Sequence, residues 1–120
     1  MELSDLEKVL LADCVDDDMG LWAVVWHVYG GGYGSDTLPI WVCEQTIDVL
    51  AKLLSKKLII IGTLQIDNNY EFSPCTESSD EILKRINDEW IESGKPPNIG
   101  GEFWIKPSKL GEQLAKELGL

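Results

Sequence analysis

The sequence predicts an α+β fold, a mostly helical domain with a small antiparallel β-hairpin. Two observations carry this expectation. Apolar residues recur at helical spacing in five separate stretches, while two short runs rich in strand formers, near 58–64 and 102–106, are too brief to be further helices. At 120 residues the chain has the length of one domain, 1–120, enough for a single core.

Leu3, Leu6, Val9, Leu10 and Leu11 mark a first amphipathic helix, with Ser4 or Asp5 as its cap and Glu7 in its first turn. A second, largely buried helix is expected over Leu21-Trp22-Ala23-Val24-Val25-Trp26-His27-Val28-Tyr29. Asp16-Asp17-Asp18 precede it, where carboxylates suit a helix N-terminus, and Gly30-Gly31-Gly32 end it. After a glycine-rich loop to Leu38-Pro39, the residues Ile40, Cys43, Ile47, Leu50, Leu53 and Leu54 keep a helical period up to Ser55-Lys56-Lys57. The β-branched run 58–64 then reads as a strand, and Asp67-Asn68-Asn69 as a turn.

Ser79 or Asp80 caps a fourth helix whose inner face is Ile82, Leu83, Ile86, Trp90 and Ile91, and Gly94-Lys95-Pro96-Pro97 stops it. Glu102-Phe103-Trp104-Ile105-Lys106 forms the second strand. Pro107-Ser108 introduces a last helix through Leu110, Leu114, Ala115 and Leu118.

This order, with the two strands as a wing hairpin, resembles a winged helix. Two segments carry the resemblance. LLSKKLIIIGTL, residues 53–64, looks like a recognition helix running into the first wing strand, and FWIKPSKLGEQLAKEL, residues 103–118, is similar to the strand, turn and closing helix after the wing in MarR- and PadR-like regulators. The resemblance implies a winged-helix-like helical core, a hairpin, and an inserted helix at about 79–93 where a basic wing tip would approach DNA.

Charge points away from DNA. Asp and Glu number 21 against 10 Lys and Arg, a formal net charge of −11, and such a surface repels phosphates before contact. The presumed recognition helix carries Glu44 and Asp48, with Lys52, Lys56 and Lys57 only at its end. The expected partner is a basic protein rather than nucleic acid. No stretch approaches the ~18 uninterrupted apolar residues of a membrane span, and the acidic N-terminus lacks the basic start of a signal peptide, so a cytoplasmic location without a membrane partner is expected.

Motifs for chemistry are sparse. Cys14, Cys43 and Cys75 are widely spaced with no C-x-x-C pair, so they read as reduced structural thiols rather than a disulfide or zinc framework. His27 lies in an apolar run and reads as a structural residue. Gly30-Gly31-Gly32-Tyr33-Gly34 lacks the Gly-Lys-Ser/Thr of a P-loop. No cofactor, metal or catalytic residue is assigned. A carboxylate hydrolase would need a cleft in which several acids converge.

The candidate binding residues are acidic. Asp16, Asp17 and Asp18 form one group; Glu77, Asp80, Glu81, Asp88, Glu89 and Glu92 give the inserted helix a second, which Lys84 and Arg85 partly offset. Among the tryptophans, Trp22 and Trp26 share a helix face and read as core, whereas Trp41 and Trp90 are candidates for exposure, Trp90 as an interface anchor. In size and charge the chain resembles the immunity proteins that bacteria pair with secreted toxins. That implies a non-catalytic inhibitor of a basic toxin, a nuclease among the options. The alternative is a winged-helix transcription regulator, or a degenerate relative used for dimerisation.

Overall fold

The computed structural model describes residues 2–30, 39–65, 71–94 and 103–120. The elements run α1 (Asp5–Asp16), β1 (Met19–Gly20), α2 (Leu21–Tyr29), α3 (Ile40–Ser55), β2 (Ile59–Gln65), β3 (Glu71–Pro74), α4 (Ser79–Ser93), β4 (Trp104–Pro107) and α5 (Lys109–Leu118). The fold is α+β, as expected. The turn expected at Asp67-Asn68-Asn69 and most of the glycine-rich loop lie outside the described residues.

Local chemistry sets the helix ends. Ser4 accepts a hydrogen bond from the Glu7 amide while the Glu7 carboxylate accepts one from the Ser4 amide, a reciprocal cap on α1. Ser78, one residue earlier than expected, caps α4 by accepting from the Glu81 amide. Ser108 caps α5. α2 and α4 end at Gly30 and Gly94, which take the left-handed conformation that glycine adopts without strain.

The sheet is antiparallel with order β1-β4-β2-β3. The two expected strands are neighbours: Ile59 pairs with Pro107, Ile61 with Ile105 and Gly62 with Trp104. β3 lies outside β2, with Gly62 opposite Pro74 and Gln65 opposite Glu71, and α4 is inserted between β3 and β4. β1 joins the other side, Met19 opposite Ile105. Neither flanking strand was expected, because two residues cannot show alternation and a four-residue strand ending in proline carries a weak signal.

A continuous core joins these layers. Leu10, Leu11 and Cys14 of α1 meet Val24 and Val25 of α2, Val42, Cys43, Leu50 and Leu53 of α3, and Ile61 and Ile105 of the sheet. Each fully buried Leu, Ile or Val adds roughly 1.5–3 kcal/mol relative to exposure. α5 docks over Leu58: a Cβ on Gly111 would lie 2.1 Å from the Leu58 carbonyl oxygen, so the approach needs glycine.

Three expectations change. Asp16-Asp17-Asp18 do not sit at the N-terminus of α2; Asp16 is the last residue of α1 and Asp17 its C-cap, because β1 intervenes and Gly20 is the N-cap of α2. Trp26 is not core: α2 buries Leu21, Val24, Val25 and Val28, which turns Trp26 outward. Ile91, Leu110 and Leu118, expected on inner faces, are exposed. α4 buries the narrower stripe Ile82, Leu83, Ile86 and Trp90, and α5 turns the small Gly111 and Ala115 inward.

Candidate functional site

The α4 acids converge on one surface. Glu81, Lys84, Arg85, Asp88, Glu89 and Glu92 follow at three- and four-residue intervals and therefore share a helix face. With Glu77 from the preceding turn they line a shallow, open depression of about 450 Å³. Asp80, exposed in the first turn, lies beyond its rim.

Its two cations are already engaged. Lys84 Nζ lies 2.6 Å from Asp88, and Arg85 lies 3.2 Å from Glu77, 3.9 Å from the Cys75 sulfur, and over the Phe103 ring at 4.9 Å. Among the described residues, no Lys or Arg forms an ion pair with Asp80, Glu81 or Glu92. The surface is thus net acidic after its internal pairing. Glu92 also sits in the last turn of α4, which holds no basic residue, where the helix dipole opposes a carboxylate by about 0.3–1 kcal/mol.

Asp16, Asp17 and Asp18 form a separate acidic edge. None of them lines the α4 depression; α1 packs on α2, α3, α5 and β4, whereas α4 packs on α3. Their place at the C-terminal end of α1, again with no basic residue in the last turn, is also the unfavourable end for negative charge. Asp13, one turn earlier, pairs with His27 across α1 and α2. His27 is partly exposed and structural, linking these helices.

Trp90 is a correction. It is buried on the inward stripe of α4, so it cannot be an exposed anchor. The exposed aromatics lie elsewhere: Trp26 is 47% exposed, Tyr29 41% and Trp41 42%, with Ile40 at 63% beside them. Tyr29 and Trp41 stack with ring centroids 6.3 Å apart and planes 25° apart. Trp41 was legible as exposed. Trp26 was not, although Trp22, Trp26 and Tyr29 fall at helical spacing on one face, a stripe that could be read equally as core.

Of the lysines at the end of the presumed recognition helix, Lys52 and Lys56 are committed and no ion pair holds Lys57 among the described residues, while Lys106 of β4 lies over a ring. Lys52 pairs with Asp48 at 3.0 Å. Lys56 reaches the buried Glu7 at 2.6 Å and the Glu2 carbonyl at 3.1 Å, and Lys106 lies over the Phe72 ring at 5.6 Å. Burial alone would raise the Glu7 pKa, but the bonds from Lys56 and Ser4 hold it below its usual 4.5.

Cys14 and Cys43 are buried, and burial, helped by Asp18, pushes the Cys14 thiol up to about 12. Among the described residues no three His, Cys, Asp or Glu side chains are placed to hold a metal ion, and no helix is long and apolar enough to cross a membrane. No protein family, curated protein or solved structure matches this chain.

Proposed function

We propose that this chain is a non-catalytic, cytoplasmic protein-binding domain that captures a basic protein, as an immunity protein captures a toxin. A nuclease is the toxin class that best fits, because a cleft built for phosphates offers cations to an array of carboxylates. The observation that carries this reading is the α4 face: its cations are neutralised internally, and Glu92 remains at the helix end where a carboxylate costs stability. A face selected only for folding and solubility would place Lys or Arg there. The net charge of −11 would steer a basic partner into encounter from beyond contact distance.

The second reading, a winged-helix regulator or a relative used for dimerisation, is favoured by the order α1-β1-α2-α3-β2 and the joining of β1 to β4. The engagement of Lys52, Lys56 and Lys106 weakens it, since a phosphate would have to displace carboxylates or a ring from each.

The test is a pull-down from source-cell lysate at low and high salt, with the wild-type chain and a Glu81→Lys, Glu89→Lys variant. Stoichiometric recovery of one basic protein, released by salt and lost in the variant, is expected. Retention of specific DNA fragments in place of a basic protein would overturn the reading in favour of the regulator.

A further inference from the structure

The acidic α4 face accounts for long-range attraction, but the aromatic anchor expected on it, Trp90, is buried, and Ile91 is the large apolar side chain that α4 leaves exposed. The exposed aromatic rings lie elsewhere. All ten Lys and Arg of the chain fall outside residues 9–51, and that stretch holds seven acids, Asp13, Asp16, Asp17, Asp18, Asp36, Glu44 and Asp48. The same stretch supplies the exposed aromatic surface. Trp26 and Tyr29 are three residues apart on α2 and share a helix face, Tyr29 stacks on Trp41 of α3, and Ile40 is exposed at the start of α3. Glu44, exposed, lies one turn along α3 from both Ile40 and Trp41.

We infer that Trp26, Tyr29, Ile40 and Trp41 form the anchor site for a cationic polypeptide segment, whose Arg or Lys side chains lie on the indole and phenol faces while Glu44 takes up their charge. This rests on the proposal that the partner is basic, and it places the short-range contact on α2 and α3 instead of α4. The chemistry selects that occupant. Aromatic faces attract cations, and Trp is the strongest of them; a neighbouring carboxylate adds a charge-assisted hydrogen-bond partner for the same Arg or Lys. Bases of single-stranded nucleic acid also stack on such rings, but their phosphates would meet a segment with no Lys or Arg and seven acids. An anionic membrane meets the same repulsion, as does a second copy of the chain, which would bring an equally acidic rim against this one.

Tryptophan fluorescence titration with a deca-arginine peptide at about 0.15 M salt tests this, with a ten-residue thymidine oligonucleotide and anionic phosphatidylserine vesicles as the competing probes. Four chains are compared: wild type, Trp26→Ala with Trp41→Ala, Glu44→Lys, and the α4 variant Glu81→Lys with Glu89→Lys. Far-UV circular dichroism checks that each is folded. The wild type is expected to bind the peptide and neither competing probe. The double tryptophan variant should bind about tenfold more weakly, and Glu44→Lys should also weaken binding, which reads out the site even if the double variant fails to fold. If both variants bind as the wild type does while the α4 reversal abolishes binding, the anchor site is overturned and the basic-partner reading stands. If the wild type does not bind deca-arginine, or binds the oligonucleotide or the vesicles instead, both are overturned.

Discussion

Glu7 shows how one residue can hold two elements together. Its carboxylate caps the start of α1 and reaches Lys56, the C-cap of α3, so a single buried acid ties the start of one helix to the end of the other. Glu7→Gln removes the charge while keeping the shape, and is expected to cost about 1–3 kcal/mol at neutral pH, read from the urea midpoint. The pH dependence follows from the depressed folded pKa. The ionised pair contributes its stability above the unfolded value near 4.5, and that contribution is lost as pH falls through the lower folded value. Wild type should therefore lose more stability between pH 6 and pH 3, as rough bounds, than Glu7→Gln does. The cysteines make a second prediction. Cys14, pushed up to about 12, and Cys43, raised chiefly by burial, are both buried and held away from the thiolate form, whereas Cys75 is half-buried. A disulfide reagent should thus modify Cys75 first in the native protein, and Cys14 and Cys43 only on unfolding.

Helices were the most legible elements because their apolar periods and caps are local. Ser4, Gly30, Gly94 and Ser108 mark real helix ends, and each acts through its own backbone neighbourhood. β1 and β3 exist only because β4 and β2 offer them hydrogen-bond partners, a long-range condition that no window of sequence contains. For the same reason the aspartate triad was placed on the wrong helix: three acids before an apolar run look like an N-terminal cap until Met19 is seen to pair with Ile105. The α4 acids were legible as a group and the structure gathers most of them on one face, but the burial of Trp90 and the exposure of Trp26 depend on which stripe each helix turns inward. Two substitutions probe elements directly. Gly111→Ala forces α5 off the Leu58 carbonyl and should destabilise the fold by about 1–3 kcal/mol in thermal unfolding. Glu92→Lys replaces a carboxylate at the negative end of α4 with a cation and should stabilise by about 0.3–1 kcal/mol. If the face binds a basic protein, the same change weakens binding, so stability and affinity move in opposite directions.

On the scale of the whole molecule, charge is distributed unevenly. Of the cations, Lys8 precedes residue 9 and the other nine follow residue 51, with Lys52, Lys56, Lys84 and Arg85 held in ion pairs, while the α1 edge, the outer faces of α2 and α3 and the α4 surface present carboxylates and exposed aromatics. Such a field accelerates encounter with a basic partner and is screened by salt, whereas packed aromatic anchors act mainly on dissociation. The two contributions separate kinetically. The measurement that tests the central claim most directly is stopped-flow association of the basic protein recovered from lysate with this chain, between about 0.05 and 0.5 M sodium chloride. The prediction is an association rate that falls at least about tenfold across that range while the dissociation rate changes little. An association rate independent of salt would contradict capture by the acidic surface.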